Sequence, residues 1–220
     1  MKRSMKNIVG ILLIAAMVLA FAGCGNSKAS DKEQFVGSWK ATLDLTDVLN
    51  ESLKEGIAQA DADMADYFTV DRFGFDVIFT FNDDDTYSSK IDEATLEKST
   101  AAMKAGLKDG LTSYFEDMVA EMGLDMSVDK LLDASGFSLD ELLDEALPAD
   151  LFDEVLDEFR LSGKWKAKDG KLYTTESVND DIDDSGYELY EITSAGIKLS
   201  LVDDSEDEAG VFPMLLTKIN

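Results

Sequence analysis

The chain has 220 residues, of which 45% are hydrophobic and 30% charged, so it is long and apolar enough to build a real core. It carries 46 acidic and 20 basic residues, and its formal net charge of −26 argues against nucleic acid as a partner because phosphates would be repelled. There is no histidine, which removes the commonest zinc ligand, general base and activator of a nucleophilic serine or cysteine.

Residues 1–23 have the features of a signal peptide. Three basic side chains precede an uncharged apolar run at residues 8–22, which is too short to span a bilayer comfortably and has the usual size of an export signal. A polar stretch follows at residues 24–34, and we expect it to be a flexible tether. The alternative is an ordinary signal peptide in which Cys24 is incidental.

Cys24 is the only cysteine, so it has no disulfide partner within the chain. The small residues before it resemble the lipobox of bacterial lipoproteins, in which the cysteine is lipidated and becomes the mature N-terminus. This resemblance implies lipid attachment at Cys24 and a mature protein anchored at the extracytoplasmic face of the cell membrane. Removal of residues 1–23 takes away three basic and no acidic residues, so the formal charge falls from −26 to −29.

After the tether, strand and helix patterns alternate along the chain. Residues 35–45 have the period of a first strand, and a helical apolar stripe predicts a helical insertion at about 46–68. The clearest strand is 73–81, and a second strand is expected at 86–91. From 93 to 159 the apolar period is helical again, which predicts a larger helical insertion.

Within this second helical region, short local signals mark where helices begin. Ser127 and Ser138 each precede an acidic first turn and a pair of leucines, so each is placed to cap a short helix. Pro148 suits the first turn of a further helix that reaches about Phe159. The region is therefore predicted to hold one long helix and three shorter ones.

Strands return after residue 160. Asp169-Gly170 is a two-residue hairpin turn, and residues 194–196 form a second turn signal. The total of about eight strands predicts an α+β fold, namely a mainly antiparallel eight-stranded β-barrel, or a sandwich of the same strands, with an inserted helical block. The strands expected here are 161–168, 171–177, 187–193, 197–202 and 211–219.

Four short motifs stand out in the strand regions, namely Gly37-Ser38-Trp39, residues 81–87, Gly163-Lys164-Trp165 and residues 169–172. Together they resemble the bacterial lipocalin-like domain, which occurs in many small lipoproteins. The chain is also similar to acidic, helix-inserted lipoproteins of Gram-positive gut bacteria. The resemblance implies a single lipocalin-like domain over residues 35–220, with an up-and-down barrel plugged at its closed end by Trp39 and with Lys218 over that ring.

Two acidic stretches invite comparison with a calcium-binding loop. Residues 82–93, NDDDTYSSKIDE, have acidic or polar residues at several ligand positions, but Tyr87 stands where the sharp turn requires glycine. Residues 181–192 end in Ile192, where the bidentate carboxylate is required. We therefore expect an ordinary hairpin turn at residues 83–85, with no metal site and no cofactor.

The phenylalanine-rich strand and the methionine-bearing helices allow two functional interpretations. Their side chains line a pocket for a small apolar ligand, or they pack as core and leave the outer surface to bind an envelope protein. We favour the second, a non-enzymatic binding lipoprotein that contacts the membrane through its lipid. An envelope hydrolase using two carboxylates is a further alternative without a sequence signature. The candidate pocket residues are Phe73, Phe75, Phe79, Phe81, Met103 and Met118.

Overall fold

A computed structural model describes residues 30–58, 63–147, 156–157, 159–203, 207 and 210–219. The predicted signal peptide, Cys24 and most of the helix predicted after Pro148 lie outside the described residues. The chain divides into two compact units, which are described separately below. The barrel unit consists of Met1–Leu43, Asp76–Asp92 and Val155–Asn220, and the helical unit consists of Asp44–Phe75 and Glu93–Glu154.

Apart from a short first helix, the described elements follow the order of strands and helices that the sequence patterns predict. The strands are β1 Gly37–Asp44, β2 Gly74–Phe81, β3 Thr86–Ile91, β4 Ser162–Lys168, β5 Lys171–Thr174, β6 Glu188–Thr193, β7 Gly196–Ser200 and β8 Met214–Lys218. The helices are α1 Asp31–Phe35, α2 Thr46–Ala58, a 3₁₀ helix at Met64–Tyr67, α3 Glu93–Glu121, α4 Val128–Ser135 and α5 Leu139–Ala146.

The eight strands close into an antiparallel barrel. Each strand is hydrogen-bonded to its neighbours in sequence order, and β8 closes the ring by pairing with β1. The predicted α+β barrel is therefore confirmed, and the sandwich alternative is wrong. The hairpin turn at residues 83–85 is present, and Asp169 and Gly170 both have positive φ (55° and 78°), as a type I′ turn requires.

Helix α1 is an element that the sequence interpretation missed, because residues 31–34 are predicted there as part of the tether. Ser30 and Glu33 form a capping box, in which the Ser30 hydroxyl accepts from the Glu33 amide (3.3 Å) and the Glu33 carboxylate accepts from the Ser30 amide (2.8 Å). The helix ends at Phe35, whose carbonyl accepts a hydrogen bond from Trp39 Nε1 at 2.6 Å. The start of β1 therefore holds α1 in place.

Phe35, the last residue of α1, packs in the aromatic core of the barrel. It is fully buried, and its ring centroid lies 5.3 Å from that of Phe81, 5.6 Å from Trp165 and 4.9 Å from Tyr190. Phe81 and Trp165 are also in edge contact, at 5.1 Å. These rings pack against one another at the α1 end of the barrel.

The helical unit has its own core, which is mainly aliphatic. Helix α3 runs beside the 3₁₀ helix and approaches it so closely at Gly110 that a Cβ there would collide with the Tyr67 carbonyl. The Tyr67 hydroxyl donates to Asp117 at 2.6 Å and fixes the same contact. The buried members of this core are Phe68, Val70, Phe73, Met103, Leu107 and Leu143.

The serine caps predicted for the two short helices are confirmed. The Ser127 hydroxyl accepts from the Lys130 amide at the start of α4, and Ser138 forms a full capping box with Glu141 at the start of α5. Gly136 ends α4 in the left-handed conformation, with φ of 78°. Local sequence signals therefore mark the start of both helices and the end of α4.

Candidate functional site

Strand β4 presents a row of lysines on the outside of the barrel. Its side chains alternate, so that Trp165 points inward and is 1% exposed, whereas Lys164 and Lys166 point outward. The register supports this, since Lys166 lies opposite Tyr173 and Lys168 lies opposite Lys171. Lysine at every second position of a strand therefore makes one continuous basic row.

We define the lysine face as Lys164, Lys166 and Lys168 of β4, Lys171 of β5 and Lys32 of α1. These are five of the 20 basic residues in a chain with a net charge of −26. Lys168 and Lys171 are direct cross-strand partners, an arrangement in which like charges repel. The Lys168 ammonium has the Asp169 carboxylate at 3.9 Å, and its side chain is 67% exposed.

A cleft of about 280 Å³ lies against this face. Lys32 and Asp85 border it and form an ion pair of 2.6 Å. Lys164 and Lys166 line it from β4, and Ile182 contributes an aliphatic side chain. The cleft thus combines ammonium groups with an apolar surface.

Residues 180–184, which we call the acidic segment, lie over the lysine face. Lys164 Nζ donates to the Asp180 carbonyl at 2.8 Å and lies 3.7 Å from the Asp181 carboxylate. Lys166 Nζ contacts the Asp184 carboxylate at 3.0 Å. The carboxylates of this segment are largely or fully exposed, so these ion pairs lie at the protein surface.

Two tyrosines complete the outer surface of this region. The Lys166 ammonium lies 5.2 Å from the ring centroid of Tyr173, and the Lys171 ammonium lies 4.0 Å from that of Tyr187. The two rings are in contact, at 5.6 Å between centroids. Interaction with Tyr187 also raises the pKa of Lys171.

The six candidate pocket residues do not gather in one cluster. Phe73 and Met103 pack in the core of the helical unit, whereas Phe81 packs in the aromatic core of the barrel. Phe79 is half-buried and stacks on Phe81, with centroids 6.5 Å apart. The alternation that places these phenylalanines on one side of a strand is thus not enough to place them in one cavity. The remaining two differ in burial, since Phe75 is buried and Met118 is half-buried.

Trp39 lies at the start of β1, in the position that the family resemblance implies for a plug. It is 5% exposed, and its strand partner is Lys218. The Lys218 ammonium is 5.3 Å from the indole centroid, within the range of a cation–π contact.

One carboxylate, that of Glu188, is turned toward the barrel interior. Glu188 lies opposite the buried Leu172 and two residues before Tyr190, so it shares the inward side of β6. Although part of the residue remains exposed, burial raises the pKa of Glu188 to about 7.

Burial, and after it the charge of Glu188, raises the pKa of Tyr87 to about 12. Tyr87 itself is anchored, because its hydroxyl donates to the Thr175 carbonyl at 3.0 Å.

In the two acidic stretches compared with calcium loops, carboxylates accept hydrogen bonds from residues two positions further along the chain. Asp84 accepts hydrogen bonds from the amide (3.1 Å) and the hydroxyl (2.6 Å) of Thr86, which also lower the pKa of Asp84. Asp183 accepts from the Ser185 amide at 2.9 Å in the same manner. Among the described residues, no group of three or more histidine, cysteine or acidic side chains is arranged to hold a metal ion.

The first 29 residues, including Cys24, lie outside the described part of the chain. None of the helices formed by the described residues has the length and apolar character needed to cross a bilayer. No protein-family model, curated protein or solved structure matches the chain.

The lysine face is the feature that sequence analysis missed. The signal was present in residues 163–168, GKWKAK, where lysines alternate with residues that a strand would bury. The acidic segment gave no such signal, since its contacts with β4 depend on how the connection between β5 and β6 folds back.

Proposed function

We propose that the protein is a lipid-anchored, non-enzymatic binding module on the extracytoplasmic face of the cell membrane, and that its lipocalin-like barrel binds partners on the outer surface. The packing of Phe35 against Phe81, Trp165 and Tyr190 carries this proposal. The protein's own rings take up the α1 end of the barrel interior, so a guest finds no room at this end.

The outer surface has a cleft and charged side chains that a partner could bind. The cleft beside β4 is bordered by ammonium groups and an aliphatic side chain, the mixture of charge and apolar area that recognition sites use. The lysine face also stands out against the acidic remainder of the chain, so it distinguishes one side of the barrel from the others.

The proposed location rests on the export signal and on the lone Cys24. In cells that express the full chain, Cys24→Ser should move the protein from the membrane fraction to the soluble fraction, or leave its signal peptide uncleaved. Ser27→Ala, a neighbouring change in the tether, should leave it in the membrane fraction. Mass spectrometry of the N-terminal peptide provides the direct measurement. An unmodified Cys24 in membrane-bound protein would rule out the lipid anchor.

The filled interior is tested with an apolar guest. We expect the chain from residue 25 onward to show no saturable binding of N-phenyl-1-naphthylamine, a neutral fluorescent probe. The opposite result would be one-to-one binding that is abolished by Phe75→Asp in a folded protein and retained in Leu189→Asp, whose site is 41% exposed. That result would make the protein a carrier of small apolar ligands and would replace the present proposal.

A further inference from the structure

We propose that the lysine face binds an acidic peptide segment of a partner protein, and that the chain's own acidic segment, residues 180–184, occupies this face until the partner displaces it. The inference rests on the proposed function, because it names the partner class for the same outer surface. It adds a regulatory element, since the site is competitively covered by part of its own chain.

The contacts of the acidic segment indicate which chemical groups the lysine face binds. Lys164 takes a main-chain carbonyl at 2.8 Å, and Lys166 takes a carboxylate at 3.0 Å. Between these two contacts, Ile182 places an aliphatic side chain in the cleft. A carbonyl, a carboxylate and an aliphatic group in succession are features of a peptide, and neither a phosphate polymer nor a lipid headgroup offers all three.

The acidic segment is held weakly enough to be displaced. The Asp181 carboxylate is fully exposed and lies 3.7 Å from Lys164, and the Asp184 side chain is 74% exposed. Ion pairs this exposed contribute little to stability, because water solvates both charges and the side chains lose freedom when they pair. An acidic peptide that makes more contacts with the same lysines would therefore displace the acidic segment.

Part of the lysine face remains available for such a peptide. Lys168 and Lys171 repel each other across the strand pair, and a carboxylate placed between them would relieve that repulsion. Lys164, Lys166 and Lys168 follow one another at every second residue of β4, a spacing of roughly 6.6 Å. The acidic side chains on one side of an extended peptide have the same spacing, so alternate acids would meet successive lysines.

The acidic character of the whole chain does not prevent this binding. At physiological ionic strength the screening length is about 8 Å, so carboxylates on other sides of the molecule contribute little at the lysine face. What an incoming peptide meets at contact is the local pattern of ammonium groups. The net charge of −26 instead slows the approach of acidic molecules, which favours a partner that is held nearby on the same membrane.

The test uses the full chain in a neutral detergent and a fluorescein-labelled peptide with the sequence of residues 177–187, SVNDDIDDSGY, followed by fluorescence anisotropy at about 0.15 M salt. The double variant Asp181→Asn/Asp184→Asn should bind the peptide about tenfold more tightly than the wild type, as expected if the segment covers the face about nine-tenths of the time. A peptide with every aspartate replaced by asparagine should bind neither protein.

Matched variants separate local from general charge effects. Glu51→Gln/Glu55→Gln neutralises two exposed acids of α2 and should leave the peptide affinity at the wild-type value. Lys166→Gln/Lys168→Gln, placed in the Asp181→Asn/Asp184→Asn background, should abolish binding, whereas Lys166→Arg/Lys168→Arg should retain it. Circular dichroism of each variant establishes that the fold is intact.

Three outcomes would overturn the inference. The first is equal affinity of the wild type and Asp181→Asn/Asp184→Asn, and the second is undiminished binding after the two lysines are neutralised. The third is a dimer of Asp181→Asn/Asp184→Asn in sedimentation, since the occupant would then be a second copy of the chain. These results leave the membrane anchor and the filled interior untouched, because those are tested by Cys24→Ser and by the apolar probe.

Discussion

The barrel unit and the helical unit build their cores in different ways. In the barrel, rings from residues far apart in sequence enclose one another, and Phe35 and Trp165 are 0% and 1% exposed. In the helical unit, α2 has no fully buried residue, and α5 contributes leucines that are 6–9% exposed. Closed pairing gives each strand of the barrel a neighbour on both sides. The short helices α4 and α5, by contrast, depend on their caps and on one apolar stripe. We therefore expect the barrel to be the more stable unit.

This comparison can be measured, because the two units have separate spectroscopic signals. Both tryptophans of the chain, Trp39 and Trp165, belong to the barrel unit. The long helices belong to the helical unit, so ellipticity at 222 nm reports mainly on them. Urea unfolding followed by fluorescence and by ellipticity should give two midpoints, with the fluorescence midpoint at the higher urea concentration.

The largest expected effect comes from removing a ring of the barrel core. Trp165→Ala should lower the free energy of unfolding of the barrel by about 3–5 kcal/mol, because it leaves a cavity beside Phe35 and Phe81. It also removes the hydrogen bond from the indole to the Asn82 carbonyl, 3.1 Å in length. The remaining Trp39 serves as the fluorescent reporter, and ellipticity at 222 nm should change far less.

A matched change on the outside of the barrel gives the control for this prediction. Leu189 is 41% exposed on β6, so Leu189→Ala should cost less than about 1 kcal/mol. If Trp165→Ala were as mild as Leu189→Ala, the aromatic cluster would not be the core of the barrel. The filled interior in the proposed function would lose its main support as well.

The next effect in size is a dependence of barrel stability on pH. Burial raises the pKa of Glu188 from 4.5 to about 7 in the folded protein, so folding takes up a proton between these values. The stability linked to Glu188 is fully present below pH 4.5 and is lost as the pH rises through 7. The loss is at most about 3 kcal/mol, and smaller where water reaches the carboxylate.

Glu188→Gln should remove the loss of stability between pH 4.5 and 7. Glu191 is an exposed acid on the same strand, so Glu191→Gln should leave that loss unchanged. The comparison between variants matters, because repulsion among the other carboxylates also grows with pH. Asp84 does not interfere, since hydrogen bonds from Thr86 lower its pKa and its contribution is lost only at more acidic pH. Identical pH profiles for Glu188→Gln and the wild type, from urea midpoints between pH 4.5 and 8, would contradict the interior position of this carboxylate.

The same two units show what could be predicted from the sequence. In the barrel, alternation located the strands, and Asp169-Gly170 specified its turn because few residues accept positive φ. Placing Lys218 beside Trp39 followed from the family resemblance, and the register agrees. Helix α1 was missed because five residues show no apolar period, although Ser30 and Glu33 carried a capping signal.

The candidate site was harder to predict than the fold. An alternating apolar pattern predicts which side chains share one side of a strand, but it does not show what packs against that side. The pattern therefore grouped Phe73 with Phe81, although the two residues belong to different cores. The lysine face depends on the pairing of β4 with β5 and on the path of residues 180–184. Both are long-range properties that local patterns do not contain.

The smallest predicted effects concern two glycines of α3, and they sharpen the view that the helical unit depends on a few close approaches. A Cβ at Gly110 would collide with the backbone carbonyl of Tyr67, which cannot move without displacing the 3₁₀ helix. Gly110→Ala should therefore destabilise the helical unit by about 1–3 kcal/mol. At Gly106 the nearest atom to a new Cβ is the Thr69 carbonyl oxygen at 3.6 Å, an ordinary contact.

Gly106→Ala should consequently stabilise the helical unit by up to about 1 kcal/mol, because alanine loses less backbone freedom than glycine when a helix forms. The two substitutions make the same chemical change one helical turn apart, so helix propensity cancels and the difference isolates the contact with Tyr67. Urea unfolding followed at 222 nm should move in opposite directions for the two variants. A gain in both would mean that α3 does not rest on the 3₁₀ helix at Gly110, and a loss in both would mean that Thr69 leaves no room for a methyl group.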